Sequence, residues 1–164
     1  MPDLITHVAL SHFFVRGYEL KKKTVNNWPW RLLFYFGTIL PDILTRPFYI
    51  LFALKNNWTV GLHTPLATLA VCGIIALFFA QPLRKKVFHF LAAGNLAHFL
   101  LDSFQKHLIP QSYWLLPFSW RNYHWGFLYP NQFMSLIPLW LGLVVVFEVV
   151  VYLITRQSRK DALS

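Results

Sequence analysis

One segment of this chain constrains its fold more than any other. Leu136 to Ile154 is a run of nineteen residues in which Glu148 is the single charged side chain. About twenty predominantly apolar residues are enough for an α-helix to cross the hydrocarbon core of a bilayer. The run therefore predicts a membrane-spanning helix. A carboxylate at bilayer depth is costly, so Glu148 is predicted to pair with a basic or histidine side chain.

Four further apolar segments predict additional helices. Each is short for a complete span. The first two along the chain also carry charge, Arg16 and Glu19 in one and Arg31 in the other, and we expect these two to be tilted or partly embedded helices that pack on the longer ones. The segments are Leu4 to Leu20, Trp28 to Leu40, Pro65 to Ala80 and Val87 to Leu101. Pro41 and Pro47 follow the second segment and are predicted to end its helix, because proline lacks the backbone N–H that continues the hydrogen-bond ladder.

The stretch from Phe104 to Pro130 is rich in Pro, Trp, Tyr and Phe. Trp and Tyr favour the membrane–water interface, where one end of the ring meets water. The stretch therefore predicts an aromatic interfacial loop. Together the segments predict an all-α fold: an integral membrane helical bundle of about five helices with this loop, forming a single domain over residues 1–164.

The scarcity of charge excludes an ordinary soluble domain. Charged residues make up 13% of the 164 residues and hydrophobic residues 56%, whereas soluble domains carry about 25% charged residues. A chain with so few charges would expose large apolar patches to water, and such patches mark a membrane or partner surface. Membrane lipid is the expected partner.

The net charge of +9 comes largely from short basic clusters beside apolar runs. Basic surplus alone can indicate nucleic-acid binding, but no recognition motif accompanies it here, so no nucleic-acid partner is expected. Clusters of Lys and Arg beside apolar segments instead mark cytoplasmic helix ends near anionic lipid. The basic clusters are Lys21–Lys23, Arg84–Lys86, and Arg156 with Arg159 and Lys160.

This placement of charge predicts that several polar residues gather on the opposite side. Helices on either side of a basic cluster run in opposite directions, so their far ends share the other face of the bundle. The expected arrangement is a multi-pass protein of a bacterial-type inner membrane, with the site at the outer face. The candidate ligand positions at those far ends are His7, Asp42, His63 and the pair His98 and Asp102.

The pair His98 and Asp102 carries the clearest chemistry. Residues four apart share a helix face, so the imidazole and the carboxylate can ligate one metal ion, or the carboxylate can orient the imidazole. The structural alternatives stay open at this point. An isolated buried histidine is more often a hydrogen-bonded core residue, Asp42 could cap the start of the next helix, and His98 with Asp102 could be a structural pair.

Five short motifs, taken in order, carry a resemblance to a known family. They are Thr6–Ser11, Gly37–Ile43, Leu62–Leu66, Gly94–Ser103 and Leu115–Trp120. In order and spacing they resemble the YdjM-like family of membrane-bound metal-dependent hydrolases. The Gly-x-x-x-Pro-Asp and Gly-x-x-x-His-x-x-x-Asp pieces are also similar to those of zinc-dependent phospholipase C enzymes, which are helical and hydrolyse phosphoesters with clustered zinc.

The resemblance implies a specific set of metal ligands. These are His7, Asp42, His63, His98 and Asp102. The chain departs from the family where a His-Arg pair usually precedes the Thr-His motif, because Trp58–Val60 stands at that place. His107, which follows Asp102, is a candidate replacement.

Three functional hypotheses follow. The first is a metal-dependent hydrolase acting on a phosphoester of a lipid or lipid-linked molecule, with zinc as the expected metal and manganese or iron as alternatives. In it Asp42 or Asp102 takes a proton from the attacking water, and Arg46 and Arg121 hold phosphate oxygens; the predicted catalytic residues are Asp42, Asp102 and Arg121. The second is a non-enzymatic membrane protein with a structural metal or polar core site. The third is ion or proton passage, which needs polar groups throughout the membrane depth.

Overall fold

Helices account for most of the chain that the computed structural model describes, namely residues 4–22, 28–52, 57–106, 113–127 and 129–161. Five helices are long and two have six residues, so the all-α class predicted from the sequence is confirmed for these residues. In chain order they are α1 Leu4–Lys22, α2 Trp28–Phe52, α3 Asn57–Leu62, α4 Pro65–Leu77, α5 Gln81–Phe104, α6 Pro130–Ser135 and α7 Ile137–Asp161.

The prediction that Pro41 and Pro47 end the second helix is wrong. Helix α2 continues through both prolines to Phe52. An interior proline costs about 3 kcal/mol in helix stability, and close packing of α2 on α5 outweighs that cost. Helices in membranes tolerate proline because neighbouring helices and Ser/Thr side chains can satisfy the freed backbone groups.

Two glycines allow α2 and α5 to touch backbone to backbone. A Cβ atom added at Gly37 would collide with the backbone of Leu91, and one added at Gly94 would collide with the backbone of Phe34. Small residues at a helix crossing permit this approach, which is typical of helix pairs in membranes. The crossing fixes the position of the half of α5 that carries His98 and Asp102.

Helices α4 and α5 form a hairpin, and the N-terminal cap of α4 positions His63. The hydroxyl of Thr64 accepts a hydrogen bond from the N–H of Ala67 at 3.4 Å, and Pro65 occupies the first turn. Serine, threonine and proline at these positions are helix-start signals. The apolar core beneath consists of Leu40, Cys72, Ala76, Val87 and Leu91. His63, directly before α4, therefore lies beside the C-terminal end of α5.

The opposite end of the bundle holds basic residues. The Lys86 ammonium lies 4.0 Å above the ring of Trp30, so the start of α5 adjoins the start of α2. Cation–π contacts of this kind stabilise by about 0.5–1 kcal/mol at exposed sites. The basic end and the end with the candidate ligands are therefore at opposite ends of α5, as the sequence predicts.

An ion pair joins α7 to α1. Arg16 binds both carboxylate oxygens of Glu148, with Nε at 2.6 Å and Nη2 at 2.8 Å. His12 Nε2 lies 2.8 Å from the same carboxylate. The predicted pairing of Glu148 with a basic or histidine side chain is confirmed. Glu19 in turn binds Arg16 at 2.9 Å and Arg31 at 3.1 Å, so the charges of Arg16 and Arg31 are balanced by those of Glu19 and Glu148.

Most of the apolar side chains of α7 are exposed in the described part of the structure. Within the described part of the chain, Ile137–Gln157 is the one helical segment that is both long and apolar enough to cross a membrane. Its leucine, valine and isoleucine side chains are largely exposed. The core helix of a soluble protein would be buried instead, so the exposure of α7 agrees with a surface that lipid covers.

The aromatic loop folds across the C-terminal end of α5. The Ser103 carbonyl accepts hydrogen bonds from the N–H groups of Trp125 at 2.7 Å and Gly126 at 3.3 Å, and the Phe127 N–H donates to the Phe104 carbonyl at 2.8 Å. Gly126 has a φ of 66°, a conformation that suits glycine because it has no Cβ. Residues 113–127 form no regular secondary structure, and many of their aromatic side chains are exposed.

Candidate metal centre

Five polar side chains meet at the end of the bundle opposite the basic residues. One comes from α1, one from α2, one from the turn before α4 and two from α5. They are between 0% and 6% exposed, although imidazole and carboxylate groups are rarely buried without partners. They are the same residues that the resemblance implies as ligands: His7, Asp42, His63, His98 and Asp102.

Asp102 lies at the centre of the cluster. Its Oδ2 atom is 3.0 Å from His63 Nε2 and 3.3 Å from His98 Nε2. Its Oδ1 atom is 3.4 Å from His7 Nε2. Three imidazoles from three different segments thus direct the same ring nitrogen at one carboxylate, which is the arrangement expected of side chains that share a cation.

These distances fit a metal site. Donor atoms 2.0–2.2 Å from a tetrahedral zinc ion lie about 3.3–3.6 Å from one another. The His98–Asp102 and His7–Asp102 separations, at 3.3 and 3.4 Å, fall in this range. The His63–Asp102 separation of 3.0 Å is that of a hydrogen bond. The donor set is chemically suitable, since imidazole and carboxylate are ordinary zinc ligands.

Asp42 completes the cluster from α2. Its Oδ1 atom is buried and has no hydrogen-bond partner in the described chain, whereas its Oδ2 atom accepts a hydrogen bond from Arg46 Nη2 at 2.8 Å. The alternative that Asp42 caps the start of a helix is wrong, because α2 runs through it. Arg46, one turn later, therefore orients the carboxylate and leaves one oxygen available.

The donors form two overlapping groups of three. One group is His7, His98 and Asp102, and the other is Asp42, His63 and His98. Within each group the potential ligand atoms all lie within 4.8 Å of one another. His98 belongs to both, and its ring is stacked on that of His7 with centroids 4.5 Å apart.

The electrostatics of the cluster favour a cation. Burial lowers the pKa of the His63 imidazole, but its hydrogen bond to Asp102 and the negative charges of Asp102 and Asp42 outweigh burial, so that the pKa is raised. A buried carboxylate is costly unless a charge compensates it. The cluster can supply this charge by protonating an imidazole, or a divalent cation can supply it while all three imidazoles stay neutral.

The sequence as a whole matches one family model, over residues 1–163. The chain belongs to the YdjM inner membrane protein family. Membership agrees with the exposed apolar surface of α7, and it establishes the resemblance for the whole of the described chain. No curated protein and no solved structure matches the sequence. Hydrolase activity and the similarity to phospholipase C enzymes remain predictions.

Two residues of this YdjM family member that were predicted to act at the site have different surroundings. Arg46 pairs with Asp42, whereas the sequence analysis predicts that Arg46 binds phosphate oxygens. Arg121 is exposed on the aromatic loop, where its backbone N–H donates to the Ser119 hydroxyl at 3.3 Å, and its side chain makes no ion pair with the described residues. The catalytic role of Arg121 stays a prediction. His107 lies outside the described residues.

Sequence reasoning missed two buried amides. Asn95 on α5 and Gln105 directly after it are fully buried, and neither side chain has a hydrogen-bond partner in the part of the chain that the structure describes. Asn95 is three residues before His98, so helical spacing could have identified it, whereas Gln105 follows the last residue of the helix with extended backbone, where helical spacing does not apply.

Proposed function

We propose that this protein is a membrane-bound metal-dependent hydrolase that cleaves a phosphoester of a lipid or lipid-linked substrate. The observation that carries the proposal is the convergence of three imidazoles on Asp102, with the free oxygen of Asp42 nearby. Five donors from four segments of the chain would be unusual for a purely structural hydrogen-bond cluster, because Asp42 Oδ1, His63 Nδ1 and His98 Nδ1 are buried without a hydrogen-bond partner among the described residues.

Zinc is the proposed cofactor, with manganese or iron as alternatives. The donors are nitrogen and carboxylate oxygen without thiolate, a set that suits these metals. A bound divalent cation lowers the pKa of its water towards neutrality and polarises the phosphoester. His7, His63, His98 and Asp102 are proposed to hold the cation.

Asp42 is the better placed of the two proposed bases. Asp102 faces three imidazoles, so its oxygens are engaged in holding the cluster. Asp42 Oδ1 has no hydrogen-bond partner among the described residues, and Arg46 on the other oxygen fixes the orientation of the carboxylate. Asp42 can therefore take the proton of the attacking water, provided that water lies within hydrogen-bond reach. Arg121, on the aromatic loop, is proposed to bind phosphate oxygens of the substrate.

The surroundings of the cluster suit a substrate that arrives from a membrane. The aromatic loop and α5 enclose a cleft of about 550 Å³. It is lined by residues that include Leu100, Ser103, Trp114 and Tyr123, and Ser103 directly follows Asp102. An amphipathic aromatic surface of this kind settles at the headgroup layer. We propose a multi-pass protein in which the basic end is cytoplasmic and the cluster faces the outer side.

The second candidate is a membrane protein that binds metal for structure alone. The burial of the five donors favours it, because structural metal sites are closed while catalytic ones keep an open position for water. The replacement of the family's His-Arg pair by Trp58–Val60 also favours it, since a ligand or a phosphate-binding cation is lost.

The test separates metal binding from catalysis. Wild-type protein, Asp102→Ala and His63→Ala are purified in detergent, and bound metal is measured by elemental analysis. His89→Ala is the matched control, since His89 is exposed near the other end of α5. We expect at least about one metal ion per wild-type and control chain, and a large loss in both cluster variants.

Activity is then measured on mixed lipid extracts by release of phosphate or phosphorylated headgroups. Metal-dependent release that Asp42→Asn abolishes supports the hydrolase. Full metal occupancy without release from any lipid or lipid-linked phosphoester would favour the structural site. A wild-type protein that retains no metal would refute both.

A further inference from the structure

Asn95 is a polar side chain that the proposed chemistry does not use. It is 0% exposed, and neither its Oδ1 nor its Nδ2 atom has a hydrogen-bond partner in the described chain. It occupies the interior of α5, one turn before His98. Burying an amide without partners destabilises a fold, so its presence at this position needs an explanation.

The neighbouring side chain on the same helix face, His98, also has a buried polar atom without a hydrogen-bond partner among the described residues. His98 is also 0% exposed, and its Nδ1 atom has no hydrogen-bond partner among the described residues. Its Nε2 atom faces Asp102 at 3.3 Å. Residues three apart lie next to each other along a helix, which places the amide of Asn95 and the imidazole of His98 on adjacent turns of one buried face.

When His98 binds a metal ion through Nε2, its Nδ1–H requires a hydrogen-bond acceptor. A histidine that ligates a metal is neutral, and its other ring nitrogen carries the proton. That N–H almost always donates to a carboxylate, a carbonyl or water, which fixes the tautomer and the orientation of the ring. The amide oxygen of Asn95 is an acceptor of this kind.

Two hydroxyls near this part of α5 make hydrogen bonds elsewhere. The Thr38 hydroxyl donates to the Phe34 carbonyl at 3.0 Å and lies 3.3 Å from the Ser11 hydroxyl. Both hydroxyls are 0% exposed. They serve α2 and each other, so the described contacts leave the amide of Asn95 available for His98.

We infer that Asn95 is a positioning residue of the metal centre, whose Oδ1 accepts the Nδ1–H of His98 when His98 Nε2 holds the cation. The inference rests on the proposed metal site and adds a residue to it. Asn95 contacts no substrate in this role. It selects the His98 tautomer that presents a lone pair at Nε2, and it holds the ring in the direction of Asp102.

A purely structural role for Asn95 would predict a different effect of its removal on stability than the positioning role does. Buried asparagines commonly join helices in membranes by hydrogen bonds, and removing such a bond destabilises the protein. Asn95 has no such bond among the described residues, so Asn95→Leu should leave the melting temperature of the metal-free protein unchanged or raise it. The same variant should weaken zinc binding about 10–100-fold, the range found when the partner of a ligating histidine is removed.

The experiment compares Asn95→Leu, Asn95→Asp and Gln105→Leu with the wild type. Zinc dissociation constants are measured by chelator competition in detergent, and melting temperatures are measured without metal. A carboxylate also accepts from Nδ1–H, so Asn95→Asp should recover most of the lost affinity. Gln105→Leu makes the same apolar replacement of a buried unpaired amide and should leave zinc affinity unchanged.

Each alternative result has a separate meaning. Wild-type protein that binds no zinc would refute the metal centre itself. Zinc binding by the wild type together with unchanged affinity in Asn95→Leu would refute only the role of Asn95, as would an equal loss in Gln105→Leu. If Asn95→Leu does not fold, histidine ¹⁵N spectra of the zinc-loaded wild type decide: a protonated Nδ1 on His98 supports the inference, and metal bound through Nδ1 overturns it.

Discussion

At the scale of single residues, the account depends on how each carboxylate is held. Asp102 sits among three imidazoles, whereas Asp42 has one oxygen on Arg46 and one without a hydrogen bond. The two carboxylates therefore have different roles: Asp102 gathers the histidines, and Asp42 keeps an acceptor free. This division could not be deduced from the sequence, in which both are simply aspartates at the ends of apolar runs.

Removing the guanidinium from Asp42 should slow the proposed hydrolysis more than it weakens metal binding. In Arg46→Ala the carboxylate loses the 2.8 Å contact that orients it, and a misplaced catalytic group can cost about 10²-fold in rate. Phosphate release by the zinc-loaded variant measures the effect. Arg84→Ala, at the exposed start of α5, is the control, and equal rates of the two variants would contradict the orienting role.

At the scale of elements, the crossing of α2 and α5 supports the site. The sequence predicts that α2 stops at Pro41, but the helix continues, because backbone contact with α5 through Gly37 and Gly94 offsets the missing N–H bonds. Propensity rules treat each helix alone, and this contact is between helices distant in sequence. A continuous α2 is what places Asp42 inside a helix beside His98.

Enlarging Gly94 should separate the helices. In Gly94→Ala the new methyl group collides with the backbone of Phe34 and the N–H of Thr38, and a backbone cannot move aside as a side chain can. We expect a loss of about 1–3 kcal/mol in stability together with reduced zinc binding, measured by thermal melting and metal analysis. Gly142→Ala is the matched control, because nothing lies within 4 Å of the added atom. Equal melting temperatures would contradict the packing argument.

The ion pair between α1 and α7 should stabilise the bundle independently of the metal. Glu148→Gln weakens two charge-assisted hydrogen bonds from Arg16, each of a class worth about 1.5–3 kcal/mol. Unfolding in mixed detergent micelles should need less denaturing detergent, while zinc affinity is unchanged. Arg16→Met should destabilise the protein at least as much, because the buried Glu19 then loses one of its two partners as well. A Glu148→Gln protein as resistant to denaturing detergent as the wild type would contradict this reasoning.

At the scale of the whole molecule, the sequence predicts which residues meet better than it predicts how they meet. Basic clusters at alternate helix ends place His7, Asp42, His63, His98 and Asp102 at one end, and the structure brings these five together. The pairing of Arg46 with Asp42 and the burial of Asn95 escaped prediction, because they depend on side-chain directions within the packed bundle. The aromatic loop is also located correctly along the chain, but its hydrogen bonds to the end of α5 join residues about twenty positions apart, and sequence patterns do not reveal such pairings.

The exposed apolar face of α7 agrees with membership of an inner membrane protein family. The buried charged groups among the described residues are either paired, as Arg16 is with Glu148, or gathered at the cluster. A membrane protein retains such groups when they serve a function. The third hypothesis, proton passage, gains little from this arrangement, because Arg16 keeps a fixed positive charge among the paired groups between the basic end and the cluster.

The most direct test is an anomalous difference map at the zinc edge from crystals of the detergent-purified protein. The account predicts a peak enclosed by the five buried donors, within about 2.0–2.2 Å of His98 Nε2 and an oxygen of Asp102. A protein that takes up zinc but shows its peak elsewhere, or crystals grown with zinc that show no peak between these residues, would contradict the claim that the folded helices assemble a metal centre.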